Sequence, residues 1–149
     1  MEKETKKVKN CFIEGPISAS FIGESIQKHQ SKTNIGAHQI FLGQVRSDII
    51  NDQSVVAIEY SAYEEMANTV FQTIREEAFN SYDLVCLHIY HSIGRVVSGE
   101  ICLFVFVSSK HRKMAQEALT FIVEKIKSEV PVFGKECLEN QNHVWKINH

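Results

Sequence analysis

The sequence predicts an α+β fold in which helices pack on a largely antiparallel sheet. Short runs rich in β-branched and aromatic residues recur along the chain, and two long stretches show the apolar period of an amphipathic helix. The predicted elements follow the order β-α-β-β-α-β-β-α-β, which is typical of this fold class. At 149 residues, 44% of them apolar and 23% charged, the chain is expected to form one domain, residues 1–149, with residues 1–9 as a flexible tail.

The N-terminal half is predicted to hold a short helix, a long helix and three strands. The strand "NCFIEG" ends at Gly15-Pro16, and Ser18 is placed to cap a helix that runs to about Gln30. The strand "GAHQIFLGQV" is followed by the polar loop "RSDIINDQS" and the strand "VVAIEYSAY", which ends near Tyr63. Apolar residues then recur at every fourth position, which predicts a helix over residues 64–81, at Met66, Val70, Ile74 and Ala78.

The C-terminal half is predicted to contain two neighbouring strands, a second long helix and a final strand. The strands "DLVCLHIYHSIG" and "EICLFVFVSS" are separated by "RVVSG", in which Gly99 suits a turn. The helix ends before Pro131 and is marked by Met114, Ala118, Phe121, Ile122 and Ile126. We expect a short irregular segment around "PVFGKE" and a last strand in "NHVWKIN".

Composition excludes several classes of function. The net charge of −2 gives no reason to expect nucleic-acid binding, and the longest apolar run, "ICLFVFV", is too short to span a bilayer. No apolar segment follows the basic start "MEKETKKVKN", so we expect a cytoplasmic protein. The four cysteines lack metal-ligand spacing, which predicts buried reduced thiols and no structural zinc site, at Cys11, Cys86, Cys102 and Cys137. We also expect no cofactor.

Basic residues gather at both ends of the second long helix. Ser108 or Ser109 could cap this helix, which would place His111 and Arg112 where a buried strand ends and the helix begins. The exposed N–H groups of a helix start favour an anion, so these cations indicate a phosphate or carboxylate site. A simply solvated loop is the alternative, although cations in a first turn oppose the helix dipole.

Other polar residues complete the set of candidates. Arg46 ends a strand in which Gly43 allows close approach, Lys127 lies on the polar side of the helix, and Lys135 lies in the irregular segment. His88 and His91 are expected to be structural, and nothing local supports a thiol–imidazole pair of Cys137 with His143.

Five blocks of sequence resemble the large, catalytic subunit of molybdopterin synthase, the MoaE family. They span about Gly36 to Trp145 and are "GAHQIFLGQVR", "IEYSAYEEMA", "HSIGRVVSGE", "VSSKHRKMAQEA" and "IKSEVPVFGKE". The resemblance implies an α/β-hammerhead fold and a homodimer within a heterotetramer. It also implies a ubiquitin-like small-subunit partner, whose C-terminal Gly-Gly thiocarboxylate supplies sulfur. The implied substrate is cyclic pyranopterin monophosphate, which becomes the dithiolene of molybdopterin.

This implied chemistry accounts for the cations. The substrate carries a cyclic phosphate that must be held and opened, and the partner's tail is an anion. Arg and Lys can neutralise these charges, and a lysine with a lowered pKa can also move protons.

The resemblance also implies which residues form the site. The substrate-contacting positions are Gln44, Val45, Arg46, His111, Arg112, Lys127, Gly134, Lys135 and Glu136. Lys127 and Lys135 are the expected catalytic residues. Relatives commonly have Pro-x-Trp-Lys-Lys/Arg-Glu, so Gly134 replaces a lysine here; either Lys135 takes its role or this chain is impaired.

The two basic ends of the helix are too far apart to meet in one chain. His111 and Lys127 are sixteen residues apart, which is roughly 24 Å along a helix. We therefore expect a composite site across a two-fold dimer, with Arg46, Lys127 and Lys135 from one chain and His111 and Arg112 from its mate. The alternative function is that of a diverged, non-catalytic α+β dimer that binds a pterin or a ubiquitin-like partner; a plain interaction module without an anion site ranks third.

Overall fold

The computed structural model describes residues 8–147 and has three helices on a mostly antiparallel sheet, as predicted. Most of the predicted flexible tail, residues 1–7, lies outside this range. The helices are α1 (Ala19–His29), α2 (Glu64–Ser81) and α3 (Arg112–Glu129). The strands are β1 (Phe12–Glu14), β2 (Ala37–Gln44), β3 (Ile49–Ile50), β4 (Gln53–Ala62), β5 (Cys86–Val97), β6 (Ile101–Ser109), β7 (Val132–Leu138) and β8 (His143–Trp145).

The strands lie in the order β2-β6-β5-β4-β7-β8, with β1 beside β5 and β3 beside β4. All the pairs are antiparallel except β1 with β5. The long strand β5 joins the two halves of the sheet, because its first half pairs with β6 and its last residues pair with β4.

Helices cover the two faces of the sheet. Buried side chains of α2 and α3 pack on one face, against Leu103, Val105 and Val107 of β6, while α1 packs against Phe104 and Phe106 on the other. Successive residues of a strand point to opposite faces, so β6 is apolar at nearly every position. This explains the run "ICLFVFV".

Local sequence signals account for several boundaries. The Ser18 hydroxyl accepts a hydrogen bond from the Phe21 N–H and caps α1, as predicted. Gly99 has φ +94° in the β5–β6 turn, which also confirms its predicted role. The predicted loop before β4 contains the short strand β3 and a tight turn in which Asn51 and Asp52 have positive φ.

Three local predictions are wrong. Residues 132–138, expected to be irregular, form strand β7, because they pair with β4 on one side and partly with β8 on the other. Arg95–Val97 continue β5 and do not separate it from β6. Neither Ser108 nor Ser109 caps α3; both are buried in β6, and His111 is the N-cap residue without a side-chain capping bond.

The predicted burial of the cysteines is confirmed for three of the four. Cys11, Cys86 and Cys102 are buried and Cys137 is half-buried, all as free thiols. No helix within residues 8–147 is long and apolar enough to cross a membrane.

Candidate functional site

A concave surface lies where the end of α3 meets strands β2, β4, β7 and the residues after β8. It consists of two adjoining pockets that share Tyr60, Lys127 and Lys146. We call this surface the cation cleft, and its other lining residues include Gly43, Gln44, Arg46, Cys102, His91 and Gly134.

The cation cleft has a one-sided charge. Arg46, Lys127 and Lys146 line it, and neither pocket has a carboxylate among its lining residues. Within the described residues, no carboxylate lies within 4 Å of either lysine ammonium, whereas Arg46 makes an exposed 3.4 Å contact with Asp48. Such an arrangement can hold an anion, since the positive charge is left largely uncompensated by the protein.

Lys127 comes from the last turn of α3 and reaches into both pockets. The residue as a whole is exposed, but its amine lies against the concave surface, and this partial burial lowers its pKa. The positive charge of Lys146 lowers the pKa further, while Cys102 acts in the opposite direction. A lysine with a lowered pKa can exchange protons more readily near neutral pH.

A polar group is buried at the floor of the cleft. Tyr60 lines both pockets, and burial, reinforced by Cys102 and Glu136, raises the pKa of its hydroxyl, which therefore remains protonated. The Cys102 thiol donates to the Gly43 carbonyl at 3.4 Å. The floor thus offers a neutral donor below a positively charged rim.

Strand β7 sends Gly134 and Lys135 to opposite faces of the sheet. Gly134 faces the cleft, and a Cβ atom placed there would lie 3.0 Å from Ile58 Cγ2. Lys135 faces away, where its ammonium lies 2.9 Å from the Glu59 carboxylate. The hydrogen bond to Glu59 raises the pKa of Lys135, so the expected catalytic lysine is held as a charged partner of Glu59 and does not line the cleft with Lys127.

Of the predicted site residues Gln44, Val45 and Glu136, the last two are buried. Gln44 lines the cleft beside Arg46, but the Val45 side chain is buried in the core, because the chain alternates faces at the end of β2. Glu136 is 7% exposed and is absent from the lining of either pocket. The Val45 side chain therefore does not line the cation cleft, and only its backbone could contact a substrate.

His111 and Arg112 lie at the opposite end of α3 from Lys127. Both are exposed, and the Ser109 hydroxyl donates to the His111 carbonyl and so fixes the entry to the helix. Neither residue lines the cation cleft. One chain by itself does not bring the two basic ends together.

The histidines of β5 differ in their surroundings. His91 is buried, its Nδ1–H donates to the Ser92 carbonyl at 2.7 Å, and burial lowers its pKa to about 4, so it is a neutral, satisfied side chain that also forms part of the cleft wall. His88 also has its pKa lowered to about 4, first by burial, but its Nδ1 is buried without a partner within residues 8–147. The prediction of a satisfied histidine is confirmed for His91 and wrong for His88.

One set of metal-ligating side chains exists within the described residues. Ligand atoms of His29, Cys86 and His88 lie within 4.8 Å of one another, on the α1 face of the sheet and away from the cation cleft. His29 Nε2 and His88 Nε2 are 2.8 Å apart, and the Lys32 ammonium donates to Cys86 Sγ at 3.0 Å. A cation on the thiol disfavours a metal ion beside it.

Sequence reasoning missed Lys146, Tyr60 and His91 as lining residues of the cleft. Val144 and Lys146 are two residues apart in an extended segment, so their side chains point to the same face of the sheet. Which residues of the neighbouring strand share that face depends on the pairing. The pairing itself, Glu136 with Val144, is visible only in the structure. Cys137 and His143 are likewise cross-strand neighbours, although the thiol donates to the Lys135 carbonyl at 3.6 Å.

The chain is similar to known proteins over most of its length. The profile of the MoaE protein family matches residues 16–129. A molybdopterin synthase catalytic subunit from Pyrococcus abyssi is 37% identical over 77% of this chain and 76% of its own length. The corresponding subunit from Dictyostelium discoideum is 35% identical over 99% of this chain and 92% of its own. The Drosophila persimilis subunit is 36% identical over 92% of this chain, which spans 37% of that longer protein.

Solved structures share the fold. Molybdopterin synthase from Staphylococcus aureus superposes with a TM-score of 0.78 at 28% identity, over 91% of this chain and 95% of that chain. A chain in the complex of subunits 1 and 2 of molybdopterin-converting factor from Helicobacter pylori gives a TM-score of 0.77 at 23% identity, over 90% and 87% of the two chains. The second likeness is one of fold.

Proposed function

The chain belongs to the MoaE family, and from this premise we propose that it is the catalytic subunit of a molybdopterin synthase. Its substrate would be cyclic pyranopterin monophosphate, and the product would be the dithiolene of molybdopterin. The activity would be a sulfur transfer within molybdenum cofactor biosynthesis, and the cell compartment would be the cytoplasm.

The observation that carries this proposal is the cation cleft. Arg46, Lys127 and Lys146 converge there without a carboxylate among the lining residues. The proposed substrate brings a phosphate, and the sulfur donor brings an anionic thiocarboxylate. Both therefore gain from a site whose positive charge is largely uncompensated.

The chemistry proposed for these residues is electrostatic and acid–base. In each transfer the thiocarboxylate sulfur bonds to a pterin carbon, whose C–O bond breaks as the cyclic phosphate opens or as water leaves. Water then hydrolyses the resulting thioester, so the sulfur stays on the pterin and the partner departs with a carboxylate. Negative charge grows on oxygen in the acyl-type intermediates, where a guanidinium or ammonium can stabilise it. The lowered pKa of Lys127 suits it to accept and return protons during these steps.

The proposed partner is a ubiquitin-like small subunit, and the proposed assembly is a homodimer of this chain within a heterotetramer. The dimer is needed because His111 and Arg112 are remote from the cleft of their own chain. A mate related by a two-fold axis can supply them.

Activity of the purified protein tests the proposal directly. The chain is mixed with thiocarboxylated small subunit and cyclic pyranopterin monophosphate, and the dithiolene product is measured. We expect product in proportion to consumed thiocarboxylate, and none with the carboxylate form of the partner. Binding of both ligands without product would instead identify the chain as a diverged non-catalytic binder, which is the alternative favoured by the missing side chain of Gly134.

A further inference from the structure

Helix α3 contributes one lysine, Lys127, to the cation cleft, and strand β7 contributes none. Gly134 faces the cleft without a side chain, and Lys135 faces the opposite side of the sheet. Turning Lys135 toward the cleft would require a shift of β7 by one residue, which would move every side chain of the strand to the other face. After such a shift Glu136 would stand where Lys135 now stands, and the present pairing of β7 with β4 would be broken.

Lys146 lies on the cleft side of the sheet, the side from which Lys135 points away. Its N–H donates to the Gly134 carbonyl at 2.8 Å, which continues the antiparallel register in which Lys135 lies opposite Trp145. Residues directly opposite each other in such a pair point to the same face. A Cβ atom placed on Gly134 would accordingly lie 3.7 Å from Lys146 Cβ, so side chains from the two positions start as neighbours on the same face.

Residues of β4 surround the Gly134 position closely on the cleft side. The space beside Gly134 is narrow, since an added Cβ would come within 3.0 Å of Ile58 and 3.4 Å of Tyr60. Without a side chain at position 134, the Lys146 side chain lines both pockets together with Lys127.

We propose that Lys146 is the second substrate-contacting lysine of this site, reaching it from the residue after β8 to act with Lys127. This inference rests on the proposed function and assigns the role to a different residue from Lys135, the lysine that the family resemblance implies. In this arrangement the Lys146 ammonium holds the phosphate or the thiocarboxylate, while Lys127, beside it, exchanges protons.

The electrostatics agree with this division of roles. The Lys146 ammonium lowers the pKa of Lys127, as a second cation does whenever it stands near an amine. Lys135 is instead held by Glu59 and has its pKa raised. Of these two lysines, Lys146 has both access to the cleft and an influence on Lys127, and Lys135 has neither.

Matched alanine variants separate the two lysines. Lys146→Ala is expected to lower the rate of dithiolene formation by about 10- to 100-fold, the usual loss for a hydrogen bond to a charged group. Lys135→Ala is expected to stay within about threefold of the parent, since its loss affects an exposed pair with Glu59. Both variants keep the backbone pairing, and circular dichroism and melting temperature verify that they fold.

Relocation of the lysine provides a second test. In the Lys146→Ala background, Gly134→Lys returns an ammonium to the same face from the neighbouring strand, and we expect it to recover at least a tenth of the lost rate. Lys135 is unchanged in this variant, so recovery cannot come from it. The new Cβ meets Ile58 Cγ2 at 3.0 Å and the Tyr60 ring at 3.4 Å in this variant too, so circular dichroism and melting temperature verify that it folds.

A spectroscopic readout distinguishes a direct role from a structural one. The pKa of Lys127, followed by NMR of its side-chain amine, is expected to rise in Lys146→Ala and to remain unchanged in Lys135→Ala. A merely structural role for Lys146 would not produce this difference.

The outcomes are distinguishable from those of the proposed function. An inactive parent protein, tested with active small subunit, overturns the proposed function. An active parent with a fully active Lys146→Ala variant overturns the role of Lys146. An active Lys146→Ala with an inactive Lys135→Ala returns the role to Lys135.

Discussion

Arg46 is the cleft residue whose contribution can be separated most cleanly from folding. Its side chain is 72% exposed, and its ion pair within residues 8–147 is with the exposed Asp48 carboxylate, a contact worth about 0–1 kcal/mol. Arg46→Ala should lower the rate by about 10- to 100-fold, because a guanidinium donor to an anion is lost. Melting temperature should stay nearly constant while product formation falls.

A matched surface arginine controls this experiment. Arg95 pairs with Glu59 at 3.7 Å on the opposite face of the sheet, outside the cation cleft. Arg95→Ala should leave both rate and stability nearly unchanged. Equal rates for the two alanine variants would contradict the anion-site proposal.

His91 makes the free energy of unfolding depend on pH. Its pKa falls from 6.5 to about 4 on folding, because a buried imidazole resists protonation. Below about pH 6.5 this imidazole therefore binds a proton in the unfolded chain but not in the folded chain. The free energy of unfolding should decrease as pH falls from 6.5 to 4, by up to about 1.4 kcal/mol per pH unit.

Denaturant unfolding at several pH values measures this slope. His91→Gln removes the titrating group, so its stability should vary less between pH 6.5 and 4. His111→Gln, at an exposed position before α3, should retain the parental slope. His88, whose pKa is also lowered to about 4, should keep part of the slope in His91→Gln, whereas a slope as steep as that of the parent would contradict the role of His91.

At the scale of elements, a contact between β2 and the start of α3 positions His111 and Arg112. A Cβ on Gly36 would collide with the Lys110 carbonyl, just before the helix, and the Gly36 N–H donates to the Ser109 carbonyl at 3.0 Å. Gly36→Ala should therefore destabilise the protein by about 1–3 kcal/mol. It should also lower the rate, because the segment that carries His111 must shift.

Gly23 offers the matched control for this glycine variant. It lies inside α1, and no heavy atom lies within 4 Å of an added Cβ. Gly23→Ala should stabilise the protein by up to about 1 kcal/mol through helix propensity. Thermal and denaturant unfolding compare the two; a Gly36→Ala protein as stable and active as Gly23→Ala would contradict the predicted collision.

Elements with strong local signals were predicted from the sequence, and those that depend on distant pairing were not. The bounds of α2 and the Ser18 cap follow from periodicity and hydrogen bonding within a few residues. The face of Lys135 does not, because β7 acquires its orientation from β4 and β8. His29 and His88 are similarly brought together only by the packing of α1 on β5.

At the scale of the whole molecule, the two ends of α3 require two chains to form one site. Mixing an inactive His111→Ala/Arg112→Ala protein with an inactive Lys127→Ala/Lys146→Ala protein should regenerate activity. A mixed dimer contains one site with all groups intact, so exchange of subunits should restore up to about a quarter of the parental rate for random pairing.

The control for this mixture is a pair of variants from the same end of the helix. Lys127→Ala mixed with Lys146→Ala retains a defect in every site and should show no more activity than the two variants measured separately. Subunit exchange is verified by native mass spectrometry of differently labelled chains. Mixed dimers without activity in the first experiment would show that a composite site is wrong.

The backbone bond between Lys146 and Gly134 has an evolutionary consequence. Positions twelve apart in the chain are equivalent in space, so a positive group can migrate from one strand to its neighbour by two substitutions while the pocket keeps its charge. Column-by-column inspection of aligned sequences would score such a migration as the loss of an essential lysine. A search for inactive members of this family should therefore ask which side chains line the pocket. A glycine at position 134 opposite a lysine at position 146 should be counted as a lysine that has changed strands.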